Sequence, residues 1–167
     1  MMLRSRVIFS ISLLLVSFVS QAATVVGTLP VTSTVTAACV LGTIVPINFA
    51  SYSSLSSTAT TTTGSITITC TNGASYNLGL DQGQGVGASA NNPRIMTVTG
   101  LGIGTLNYSL FQDAAFSVVW GNTIGTNTLA GTGTGLPTTK TVYASIAAGQ
   151  TAPPGSYKDS VTITATF

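Results

Sequence analysis

Three carboxylates, two thiols and a lone tryptophan are the most chemically competent side chains in this 167-residue sequence. The carboxylates are Asp81, Asp113 and Asp159, and the chain contains neither glutamate nor histidine. Nucleophilic systems that depend on a histidine base are therefore excluded. Glycosidic cleavage needs two carboxyl groups held at a set separation. Here Asp81 precedes a glycine-rich loop, Asp113 falls in a turn after a strand-like run, and Asp159 begins the last such run. A calcium loop needs clustered oxygens, and no Asp-rich stretch supplies them. Trp120 and the tyrosines offer ring faces for a sugar, but Trp120 follows Phe116 and Val118 in an alternating run, which reads as core packing. The sequence reads as a non-enzyme with no catalytic residue, no metal site, no cofactor and no small-molecule substrate.

The two thiols belong to a different chemistry, set by the front of the chain. Arg4 and Arg6 precede the apolar run Val7 to Val19, and Ser20-Gln21-Ala22 supplies small residues for cleavage. That order is a secretory signal peptide over residues 1–22, and the run is short for a membrane span of about 20 residues. In an exported chain an even cysteine count predicts a disulfide. Cys39 and Cys70 would close a loop of about thirty residues, for which the chain-entropy model gives roughly 3–4 kcal/mol. Two thiols without histidine do not make an ordinary zinc site, and no CxxC pair is present for redox work.

Charge is scarce: 5% of residues are charged and 44% hydrophobic, with mean hydropathy +0.52. Without the two leader arginines, Arg94, Lys140 and Lys158 balance the three aspartates. No basic patch exists for phosphates, which argues against nucleic acid as a partner. A near-neutral chain with little charge of either sign favours association, so the composition suits a subunit whose surface is used in assembly.

Strand signals dominate the chain beyond the leader. Ser65-Ile66-Thr67-Ile68-Thr69-Cys70 alternates, and Ile44–Phe49, Tyr76–Leu80, Arg94–Val98, Leu106–Phe111, Phe116–Trp120, Thr141–Ile146 and Tyr157–Phe167 are further runs. Ser51–Gly64, Gly83–Asn92 and Gly121–Pro137 read as loops. Such short strands between turn-rich segments predict an all-β sandwich. The two ends stand out. From Val25 to Cys39 odd positions carry Val25, Gly27, Leu29, Val31, Ser33 and Val35, while Thr28, Thr32, Thr34 and Thr36 alternate with them. At the other end Val161, Ile163, Ala165 and Phe167 share one face. The chain thus has a strand to spare at its front and lacks cover for its last strand, an edge hazard.

On Cys39-Val40-Leu41, Ile47-Asn48-Phe49-Ala50-Ser51-Tyr52, Gly64–Cys70, Leu106–Asp113, Trp120-Gly121-Asn122, Val142–Ile146 and Pro154–Ile163, the sequence resembles the spore coat protein U domain family, which includes subunits of archaic chaperone–usher pili. The likeness covers residue 35 to the end. Ala50 and Ala144 stand where the family often has glycine, and Ser33 interrupts the apolar stripe. The resemblance implies an incomplete immunoglobulin-like β-sandwich, completed by a donated strand. It divides the chain into leader 1–22, donor extension 23–35 and sandwich 36–167. Val25, Leu29, Val31 and Val35 would be the donor side chains, and Val161, Ile163 and Phe167 would line the acceptor groove. The implied function is a structural subunit of a surface pilus, in adhesion and biofilm formation, reached through the periplasm. Its partners would be other pilus subunits, a periplasmic chaperone and an outer-membrane usher. A self-complemented secreted binding module or adhesin, and a spore or cell coat protein, are the alternatives.

Overall fold

A computed structural model describes residues 20–90, 93–100 and 102–167. The leader's arginines and apolar run, residues 4–19, lie outside the described residues. The chain divides into two units between Thr34 and Val35. In the first, the described residues carry no strand, and Val25, Leu29 and Val31 are exposed; Val35, just beyond the division, is exposed as well.

The second unit is all-β among its described residues. In chain order the strands are β1 Cys39–Val45, β2 Thr60–Cys70, β3 Ser75–Leu80, β4 Arg94–Val98, β5 Thr105–Phe111, β6 Leu129–Thr132, β7 Thr138–Ile146, β8 Tyr157–Lys158 and β9 Ile163–Thr166. All pairings are antiparallel and form two sheets, ordered β1-β2-β7-β5-β4-β8 and β6-β3-β9. Alternation decides which faces meet. Ile66, Ile68 and Cys70 of β2, Leu106, Tyr108 and Leu110 of β5, and Val142, Ala144 and Ile146 of β7 point inward from the large sheet. Tyr76, Leu78 and Leu80 of β3 meet them from the small one. The intervening threonines of β2 face outward, where β-branched side chains suit a pleated surface.

Several sequence expectations need correction. Phe116–Trp120 is not a strand. Asp113 accepts hydrogen bonds from the N–H groups of Ser117 and Val118, closing a turn. Phe116 adopts φ 55°, and its ring stands edge-on to Phe111 and Tyr143. The segment makes a single β-bridge, Val119 to Phe111, flanked by the Gln112 N–H donating to the Val118 carbonyl and the Trp120 N–H donating to the Leu110 carbonyl. Trp120 is fully buried, and its Nε1–H donates to the Leu78 carbonyl at 2.8 Å, so it packs in the core. The serine- and threonine-rich segment contributes Thr60–Gly64 to β2, because those residues pair with Val142–Ile146. β6 lies inside the expected 121–137 loop, its Gly131 opposite Tyr76, whose ring occupies the space a Cβ would need.

Tyr157–Phe167 is not one strand either. β8 pairs with β4 in the large sheet and β9 with β3 in the small one, so the chain changes sheets across Asp159–Thr162.

Ala50 has φ 56° and donates its N–H to Asn48 Oδ1 at 2.8 Å. This is left-handed backbone that favours glycine, the residue expected here on resemblance. The conformation costs a Cβ-bearing residue about 1–2 kcal/mol, offset in part by the larger unfolded-state entropy of glycine. Ala50→Gly will therefore stabilise the domain by about 0.5–1 kcal/mol in urea unfolding. Ala144, by contrast, is fully buried in β7, and its methyl group is part of the core.

Candidate functional site

Each sheet ends in an unpaired edge. Among the described residues β1 pairs only with β2, and β9 only with β3. Between these edges runs an open groove of about 360 Å³. Ile44, Val45, Pro46 and Ile47, from the end of β1 and the residues after it, form one wall. Val161 and Ile163, leading into β9, form the other. The floor is the core itself, including Ile66, Leu80, Leu110 and Val142. Tyr157, Lys158 and Asp159 supply polar groups along it.

The β1 wall is held open by local sequence. The β1–β2 register shifts between Leu41 and Ile44. Gly64 of β2 lies where a Cβ would meet the Val45 carbonyl at 2.7 Å and the Ile47 side chain at 2.8 Å. Glycine there lets the chain turn in tightly after β1. Ile44 and Val45 are each 50% exposed, so this wall presents apolar side chains to the open groove. At the opposite end of β1, Cys39 and Cys70 are register partners joined by the disulfide.

The second wall is positioned by two aspartates acting on each other's loops. Asp81 Oδ1 accepts the N–H groups of Gly83 (2.9 Å) and Thr162 (2.8 Å). Asp159 Oδ1 accepts those of Gln84 and Ser160, both at 2.7 Å, and its Oδ2 accepts the Tyr108 hydroxyl proton at 2.7 Å. The loop after β3 and the loop before β9 are thereby latched together. Gly83, at φ 80°, lets the Asp159 carboxylate approach where a Cβ would collide with it. Beneath the latch lies Arg94, with no solvent exposure. Its Nε donates to the Asp81 carbonyl at 2.7 Å, and its Nη2 to the carbonyls of Leu80 (2.9 Å) and Trp120 (2.7 Å). A strand of the large sheet thus grips the end of a strand of the small one.

The electrostatics follow from this packing. Burial pushes the Asp81 carboxyl up, but hydrogen bonds from Thr162 and Gly83 and the Arg94 charge outweigh it, and the group ends below its ordinary value. Burial, then the hydrogen bond to Asp159, raises the Tyr108 phenol far above its usual range, so it remains a donor. Burial lowers Arg94, while Tyr108, Asp81 and Asp159 act in the opposite sense. Asp113 is depressed chiefly by the Val118 N–H. A carboxyl with a depressed folded value stabilises the fold above its unfolded value and loses that contribution as pH falls through the folded one. The melting temperature will therefore drop between pH 5 and 2. Asp81→Asn will melt lower than the parent at pH 7 and show a smaller further drop on acidification, read by circular dichroism at both ends of that window.

Of the residues the sequence singled out, Val161 and Ile163 line the groove and Phe167 does not; Phe167 is 57% exposed. Val25, Leu29, Val31 and Val35, expected from the sequence to be donor side chains, are 82–95% exposed. Asp81 and Asp159 come together, and Asp113 caps its own turn elsewhere. Sequence reasoning missed the whole β1 wall and the role of Arg94. The latter had a signal: an arginine beginning the alternating run Arg94-Ile95-Met96-Thr97-Val98, on the same face as Met96.

The fold and groove define an immunoglobulin-like β-sandwich left open between its first and last strands. A family model described as the Spore Coat Protein U domain matches residues 25–164. The chain belongs to that family. It is 44% identical over 62 residues to Protein U of Myxococcus xanthus, a match spanning 37% of this chain and 34% of that protein. In three dimensions it is similar to a chain of the crystal structure of the CsuC–CsuE chaperone–tip adhesion subunit pre-assembly complex, from archaic chaperone–usher Csu pili of Acinetobacter baumannii. That likeness has TM-score 0.56 at 20% identity, covering 80% of this chain and 41% of the other. Both matches therefore span well under half of the relative's own length.

Proposed function

We propose that this chain is a structural subunit of a surface pilus and polymerises by strand donation. Residues 23–35 of one copy lie in the groove between β1 and β9 of the next, with Val25, Leu29, Val31 and Val35 turned to its floor. The observation that carries this reading is the presence, on one chain, of two open strand edges flanking an apolar groove that reaches down to the core and of a separate, exposed, alternating segment. Strand addition satisfies the edge backbone, and alternate side chains fill the groove. Four such side chains contribute about 6–12 kcal/mol before ordering costs. A head-to-tail contact of this kind grows an open filament.

An open groove also needs cover before assembly, which assigns a periplasmic chaperone and an outer-membrane usher as partners. The leader over residues 1–22 supplies the route through the periplasm to the cell surface, where the pilus acts in adhesion and biofilm formation. Membership in a family described by a spore coat supports a second reading, a coat component built by the same strand donation.

The test is a chain lacking residues 23–35, compared with the parent by electron microscopy. The truncated subunit will bind a synthetic peptide of residues 23–35 and form no filaments. Long filaments from the truncated chain would overturn strand donation, and a layered rather than fibrous product of the parent would favour the coat.

A further inference from the structure

The groove does not stop at Ile47. Ile47, Phe49, Met96 and Tyr157 line it and also line a second, larger cleft of about 650 Å³ at the end of the sandwich away from the disulfide. That cleft is walled by the 47–55 loop and the Ala152–Tyr157 segment. Its shape is fixed by hydrogen bonds. The Tyr52 hydroxyl accepts the Gln150 N–H at 2.8 Å and donates to the Ala147 carbonyl at 3.2 Å. The Gln150 side chain bonds both backbone groups of Asn107, each at 2.8 Å. On its rim Leu55 is 94% exposed.

The opposite end of the sandwich is where the N-terminal segment departs. Ala38 exchanges backbone and side-chain hydrogen bonds with Thr71, beside the Cys39–Cys70 pair. The 71–74 turn there is bonded to the 133–135 loop through Gly73, Ala74 and Gly133, and Leu136, which comes just after that loop, is 68% exposed.

These placements restrict how one copy can follow another. If an incoming segment ran parallel to β9, its body would arrive at the disulfide end of the acceptor, where the acceptor's own segment must leave. One end would then serve two neighbours and the other none. If it runs antiparallel to β9, the incoming body arrives over the second cleft, and each end serves one neighbour. We infer that this cleft is the seat for the base of the next copy: its residues 36–38 and its 71–74 and 133–136 turns. The inference rests on the strand-donation reading and adds a body-to-body contact to it. In this contact Leu55 of the acceptor and Leu136 of the incoming copy are covered together. The cleft is preformed, so the contact orders little backbone on forming.

The experiment is photo-cross-linking in filaments assembled from the full chain, with benzoylphenylalanine replacing Leu55. Cross-links to residues 71–74 or 133–136 of another copy are expected. Leu136→Asp will reduce their yield several-fold, while the subunit still binds the 23–35 peptide. Cross-links from residue 55 to the 47–55 loop of another copy, or a yield in filaments no higher than in unassembled subunits, would overturn the inference. Failure of strand donation reads differently: the parent chain would neither form filaments nor bind the peptide.

Discussion

Replacing Arg94 with methionine will destabilise the sandwich by about 3–5 kcal/mol, the largest single-residue effect expected outside the hydrophobic core. The guanidinium is wholly buried and donates to three carbonyls, those of Leu80, Asp81 and Trp120. Hydrogen bonds from a charged donor are worth about 1.5–3 kcal/mol each, so the gross loss is larger than the prediction. Two terms offset it. The cost of keeping the cation dry disappears, and methionine recovers apolar contact in the same space. The carbonyls decide the sign, because an apolar replacement leaves all of them without their donor. Arg94→Lys will not rescue the fold, since a single ammonium lacks the planar fork that reaches carbonyls on two chain segments at once. Urea unfolding of the oxidised protein measures both variants, and a loss under about 1 kcal/mol would show that the sheets do not depend on this clamp. The groove gives a second readout. Arg94 holds the end of β3 against β4, and β9 is anchored on β3. The variant will therefore bind the 23–35 peptide more weakly even where it remains folded.

The fold was legible because its surface is written in threonine. Alternation marks β2, β3, β5 and β7 without ambiguity, and their inward residues are the core. What periodicity does not carry is where a strand changes sheets. Tyr157–Phe167 reads as one alternating run, yet the Asp81–Asp159 latch breaks it after two residues and passes it to the other sheet. The information lies in a contact between loops 75 or more positions apart, which no local pattern records. Phe116–Trp120 fails for a related reason: Asp113 closes a turn that overrides the alternation of Phe116, Val118 and Trp120. Half of the groove was visible, the half contributed by Val161 and Ile163. The β1 half depends on a register shift and on Gly64, whose meaning emerges only when Val45 and Ile47 are brought against it.

The second large effect concerns β1. Converting Cys39 and Cys70 together to alanine will cost about 3–4 kcal/mol from the loop constraint alone, and its consequences will be concentrated in one strand. Cys39 and Cys70 are the first register pair between β1 and β2. Past that pair, β1 is attached at Val40, Leu41, Ile44 and Val45, with an irregularity in the middle. Val40 is 68% exposed and Ile44 and Val45 50%, so past the disulfide Leu41 alone among these packs against the core to hold the strand down. Without the disulfide, the low-stability end of the molecule is therefore β1, and its opening free energy will fall below that of β2, β5 and β7, which carry the core. Hydrogen exchange read by mass spectrometry will show residues 39–45 losing protection well before residues 66–70 and 142–146. Because Ile44–Ile47 form one wall of the groove, the same variant will lose affinity for the 23–35 peptide at temperatures where its core is still folded. A uniform loss of protection across all strands, with β1 no worse than β7, would mean that the bond stabilises the whole sandwich through its unfolded state and does not secure the groove.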